Sequence, residues 1–164
     1  MFETNSSSTH TIIVTDRKCE PGLFVDFAIG EFGWDFERLD TINEKASYLY
    51  TMACECLGRD VYQDLYEILV KYGVQCSCSV PAKFVKPSWS DCELDNGYID
   101  HASDGDAKEF VERMLNHEHA LIKYLFSDES FVVTGNDNSD EEQCEWMDEQ
   151  TDVDYPHETY YKGN

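Results

Sequence analysis

Positive charge is what this chain has least of. It carries 12 Lys and Arg against 34 Asp and Glu, a formal net charge of −22 at pH 7. Nucleic-acid binding normally uses clustered Lys and Arg, and an acidic surface repels phosphate backbones. The expectation is therefore no direct contact with nucleic acid. The same charge attracts basic surfaces and speeds association with them, and it exceeds what solubility requires. A basic protein whose own groove handles nucleic acid fits it. A halophilic or simply over-acidic protein would have the same composition.

Long apolar runs are also missing. No stretch approaches the roughly 20 residues needed to cross a bilayer, so no membrane partner is expected. Phe2 is followed by Glu3 and a polar run, which is not a signal-like start. With that start, 7 cysteines, an odd number, read as free thiols in a reducing, cytoplasmic compartment rather than a disulfide framework. The Asn5-Ser6-Ser7 glycosylation match then carries no weight. No Walker motif, G-x-G-x-x-G or G-x-S-x-G elbow is present. "HEH" at 117–119 places its second histidine at i+2 rather than i+4, so it is not a zincin motif.

What is present suits one globular unit. The 164 residues are enough for a real core without disulfides, and 41% apolar content places most of the chain in the globular class. "TIIVT" (11–15), the alternating "LFVDFAI" (23–29), "VQCSCSV" (74–80), "YID" (98–100) and a final "SFVVT" (130–134) read as strands. Thr41 with Glu44 three residues on forms a capping box before Ile42, Leu49, Met52, Ala53 and Cys56 at helical spacing. A second helix begins near Asp60 and ends at Gly73, a C-cap. A third runs from after Gly105 to about Asn116, and a fourth from about Glu118 to Phe126. The expected fold class is α+β: a small mixed or antiparallel sheet against about four helices. A compact domain covers 1–136 and an acidic, aromatic-containing arm covers 137–164, partly packed on it. Between Asp137 and Glu158 there are 10 acids and no Lys or Arg, yet Trp146, Met147 and Tyr155 interrupt them.

Several clusters bear on chemistry. Cys54 and Cys56 are paired with Cys76 and Cys78 in a four-thiolate zinc reading. A helical i, i+2 pair points about 200° apart, however, and buried free thiols explain the pattern with less effort. "NSSSTH" (5–10) supplies Ser8 and His10, "IDHASDGD" supplies Asp100 and His101, and "TGNDNSDEE" supplies Asp137. Asp104 or Asp106 is first of all a helix N-cap. If the three strands that carry these segments were neighbours, the polar ends would converge. The product would be a small Ser/His/Asp or metal-assisted hydrolase, with His10 as base and Asp100 or Asp137 as its orienter or metal ligand. The 137–142 loop offers carboxylates to a divalent cation, without the EF-hand pattern, and Gly135-Asn136 also reads simply as a turn. No cofactor is otherwise expected.

"TNSSSTHTIIV" (4–14), "GYIDHAS" (97–103) and "YLFSDESFVVTGNDNS" (124–139) resemble segments of uncharacterised proteins from bacteriophages and mobile elements of Gram-positive bacteria. The resemblance brings no catalytic assignment. It implies a context, since small acidic phage proteins are often inhibitors of host defence, including anti-CRISPR and anti-restriction proteins that occupy a nucleic-acid-binding groove. The leading expectation is a non-enzymatic inhibitor in the host cytoplasm that mimics nucleic acid on a basic CRISPR or restriction nuclease. Its partner-binding residues would be Asp140, Glu141, Glu142, Glu145, Trp146, Asp148, Glu149, Asp152, Asp154 and Tyr155, with aromatic anchors for affinity and carboxylates for Arg and Lys. The alternatives are the hydrolase and a structural or homo-oligomeric accessory protein.

Overall fold

The computed structural model describes residues 8–33, 35–57, 60–79, 84–85, 93–94, 98–99, 106–136 and 138–162. In chain order the elements are β1 (Ser8–Thr15), β2 (Phe24–Ala28), β3 (Glu31–Phe32), β4 (Glu37–Leu39), α1 (Ile42–Leu57) and α2 (Val61–Val70). Then come β5 (Gln75–Ser79), β6 (Phe84–Val85), β7 (Glu93–Leu94), β8 (Tyr98–Ile99), α3 (Ala107–Asn116) and α4 (Glu118–Phe126). β9 (Phe131–Asn136), α5 (Glu141–Thr151) and β10 (His157–Lys162) complete the chain.

The main sheet is antiparallel, in the order β10-β1-β9-β4. β2 and β5 form a separate parallel pair, β3 and β8 another, and β6 with β7 an antiparallel one. The fold class is α+β, as the alternation of periods indicates, with a fifth helix in the acidic segment.

Local signals act where expected. Thr41 N–H donates to Glu44 Oε2 at 3.1 Å and Glu44 N–H donates to Thr41 Oγ1 at 3.3 Å, the reciprocal bonds of a capping box. At the end of α2, Gly73 N–H donates to Val70 O at 3.0 Å and Val74 N–H to Leu69 O at 3.2 Å, the Schellman pattern. Gly73 takes φ +75°, the left-handed conformation that glycine adopts without steric cost.

The sheet has a core on each face because side chains alternate along a strand. Ile12, Val14, Val132 and Tyr160 join α1, α3 and α4 in the main core, where Tyr48, Leu49, Phe110, Leu121 and Tyr124 are fully buried. Ile13, Phe131 and Val133 face the other way, under Trp146, Met147, Val153 and Tyr155. Burying each such aliphatic or aromatic side chain contributes about 1.5–3 kcal/mol.

Four expectations need correction. β1 starts at Ser8, because residues 8–10 pair with β9 (Ser8 opposite Asn136, His10 opposite Thr134) and continue its buried alternation. Gly135 and Asn136 are strand, not turn. A Cβ at Gly135 would lie 2.5 Å from Met147 Sδ and 2.9 Å from Phe36 Cε1, so close packing explains the glycine. β9 is not the last strand, since β10 pairs with β1 along its other edge. Leu23 falls outside β2 and is exposed, while Val25 and Phe27 are buried.

Candidate functional site

Ser8 and His10 lie on the helix-covered face of β1 and are both buried. The His10 Nδ1 and the Tyr48 hydroxyl are 2.7 Å apart. Burial pushes the Tyr48 hydroxyl well above its ordinary value, so it stays a neutral phenol. β1 and β9 are neighbours, which brings the end of "NSSSTH" across from Asn136. β8 is not in that sheet; it pairs with β3. Phe32 of β3 in turn sets its ring 5.3 Å from that of Tyr48. Asp100, His101 and Asp137 lie outside the described residues.

The acidic segment folds into α5 and β10. Asp140 Oδ1 accepts from Gln143 N–H at 2.9 Å, and Gln143 Oε1 accepts from Asp140 N–H at 3.0 Å. Asp140 is thus the N-cap of α5, with Glu141 and Glu142 in its first turn, where carboxylates suit the helix dipole. Glu141, Glu142, Glu145, Asp148, Glu149, Asp152 and Asp154 are all exposed. Trp146 and Tyr155 are half-buried and turned inward: Trp146 packs edge-on against Phe36, and the Tyr155 hydroxyl donates to Glu129 O at 2.7 Å. Arg38 lies beneath this layer, its guanidinium carbon 3.6 Å from the centre of the Phe131 ring. Arg17 pairs with Glu129 and lies over the Tyr155 ring.

Two polar features, Lys45 and Glu158, escape the sequence reading, and a third, Asp106, holds the expected N-cap position without the expected bond. Lys45 is buried on α1, and its ammonium donates to Ser127 O at 2.7 Å and Ser130 O at 2.9 Å. Burial lowers its pKa to about 8, against opposing pulls from Asp128 and Asp40. Glu158 accepts a two-point bond from Arg113 and a 2.6 Å bond from the Tyr160 hydroxyl. Asp106 stands at the start of α3 without a side-chain cap bond; its carboxylate instead accepts from Tyr161 N–H at 3.1 Å. Only the last strand had a readable signal, since "HETYYK" after Pro156 alternates and is rich in β-forming residues.

Beside Glu158, a groove of about 600 Å³ runs between α3 and β10, lined by Glu109, Glu112, Arg113 and Thr159 among others. A recess of about 330 Å³ shares Arg113, Asn116, His117 and Glu158 with it and extends to Thr15 and Lys123. His117 and His119 are exposed at the α3–α4 junction, and His117 makes no side-chain cap bond.

Cys54 is buried and Cys56 exposed, as i, i+2 on a helix demands, whereas Cys76 and Cys78 are half-buried on β5. Among the described residues no group of three or more His, Cys, Asp or Glu side chains is placed to hold a metal ion. None of their helices is long and apolar enough to cross a membrane. Comparison of the chain with protein-family models, curated proteins and solved structures finds no match.

Proposed function

We propose that this chain is a non-enzymatic acidic inhibitor, of the kind carried by bacteriophages and mobile elements. Acting in the host cytoplasm, it binds the basic nucleic-acid-binding surface of a defence nuclease. The observation that carries this reading is the division of α5 into two faces. Trp146 and Met147 face the sheet, while Glu141, Glu142, Glu145, Asp148, Glu149 and Asp152 are exposed. Five carboxylates on α5 and that of Asp152 at its C-cap thus span about 16 Å at 1.5 Å per residue. Because the helix is capped and anchored, those charges are placed before binding, and less ordering entropy is lost than for a disordered tail. Carboxylates arranged in this way match Arg and Lys, steering association and fixing register.

The test uses purified restriction and CRISPR nucleases immobilised one by one. The expected result is salt-sensitive binding that cognate duplex DNA competes away. It should be lost when the five α5 acids and Asp152 are changed to Gln or Asn. Binding that DNA does not disturb, or that survives those changes, removes the reading.

A further inference from the structure

A second surface, away from α5, is the outer edge of β10. The carbonyl of Pro156 accepts from Asp16 N–H, at the point where the chain enters β10 beside β1. Tyr161 faces the opposite way: its N–H donates to Asp106 Oδ2, and its carbonyl accepts from Asp106 N–H at 2.8 Å. Backbone groups alternate in direction along an edge strand, so His157 and Thr159 share the outward direction of Tyr161. Among the described residues no strand pairs with this edge. It therefore offers donors and acceptors at His157 and Thr159 and is closed at Tyr161 by Asp106.

The groove between α3 and β10 is lined on the strand side by Glu158, Thr159 and Tyr160, so it meets the open part of this edge at Thr159. Glu109, Glu112, Arg113 and Asn116 form its helical wall at spacings of three and four, the spacing of one helix face. Arg113 is already neutralised by Glu158. Among the described residues Glu112 pairs with the exposed Lys108, at 3.6 Å, and Glu109 has no ion pair, so the wall remains acidic.

From this we infer that the groove takes an extended segment of a basic protein as an added strand, with Lys or Arg at alternate positions. Main-chain bonds to Thr159 and His157 supply pairing, and side chains of one parity meet Glu109 and Glu112. Asp106 sets the register by ending the added strand before Tyr161. The inference is independent of the α5 face, since it uses none of that helix.

The probe is a blocked seven-residue peptide alternating Lys and Val, titrated into the full chain labelled with 15N. Amide shifts should cluster at residues 157–160 and 109–116. The Thr159 amide should gain protection from hydrogen exchange, and the Tyr161 amide should not change. Thr159→Pro removes an outward N–H that β1 does not use, at an edge where proline is tolerated. It should weaken binding about tenfold or more while the thermal midpoint holds. Glu109→Lys with Glu112→Lys should weaken it similarly. If Thr159→Pro lowers the midpoint, the peptide methylated on alternate backbone nitrogens replaces it and should likewise fail to bind. Shifts confined to α5, affinity indifferent to both the proline and the methylated peptide, or no saturable binding would overturn the inference. So would dimers in sedimentation that Thr159→Pro abolishes, because the edge would then serve a second copy of this chain.

Discussion

His10 Nδ1 and the Tyr48 hydroxyl lie 2.7 Å apart at the interface between β1 and α1. Both side chains are buried, so neither exchanges this partner for water at no cost. Removing one member of a buried pair costs about 1–3 kcal/mol, because the other loses its partner in a low-dielectric site. Tyr48→Phe should lower unfolding stability by that amount in a urea titration, with an unchanged m-value. A loss below about 0.5 kcal/mol would show that the bond contributes little.

Lys45 should make stability depend on alkaline pH. Its folded pKa, about 8, is below the ordinary value of 10.5. Between those values the unfolded chain holds a proton that the folded chain has released, so stability rises with pH across that window. Below about pH 8 both states are protonated, and the burial penalty is fully present. Lys45→Met removes this contribution. The wild-type thermal midpoint should rise relative to the variant's from about pH 8 to 10.5, and a constant difference would refute the assignment.

Glu158 gives the opposite sign. Burial alone would raise its carboxyl, but hydrogen bonds from Arg113 and Tyr160 outweigh it and hold the group below the ordinary 4.5. A depressed folded pKa contributes stability above the unfolded value that disappears as pH falls through the folded one. Wild type should therefore lose its advantage over Glu158→Gln below about pH 4.5. Parallel acid-denaturation curves for the two proteins would count against the pairing.

Gly135 tests the seating of α5. An added Cβ meets Met147 Sδ and the Phe36 ring, and overpacking of this kind costs about 1–3 kcal/mol. Gly135→Ala should destabilise by that amount. In the Met147→Ala background the same change should cost less, because the closest contact is gone and only that with Phe36 remains, so the two changes are not additive. Equal costs in both backgrounds would place the strain elsewhere.

The pieces legible in the sequence are those whose cause is local. Thr41 and Glu44 satisfy each other's neighbouring backbone within one turn, and Gly73 reaches its left-handed conformation from its own lack of a Cβ. The periodicity of α1 to α4 follows from which residues must leave water. For the same reason the charge excess and the acid run were visible at once. Ser8 and His10 are different: the strand read from "TIIVT" begins after them, and only β9 beside them makes them strand.

Those two residues also mark the limit of the site reading. Their hydroxyl and imidazole are side-chain chemistry that any sequence displays, but their burial depends on the fold around β1, and the bond of His10 depends on Tyr48, 38 residues away on α1. Trp146 and Tyr155 follow the same rule, since whether an aromatic among acids faces a partner or a second core depends on the sheet beneath it. The sequence by itself determined the secondary elements with local caps, the α+β class and a strongly acidic exterior. Tertiary structure alone decided the strand order, the buried Lys45 and the place of β10 beside β1. Pairing and burial join residues far apart in the chain, and no local propensity encodes which distant group will be there.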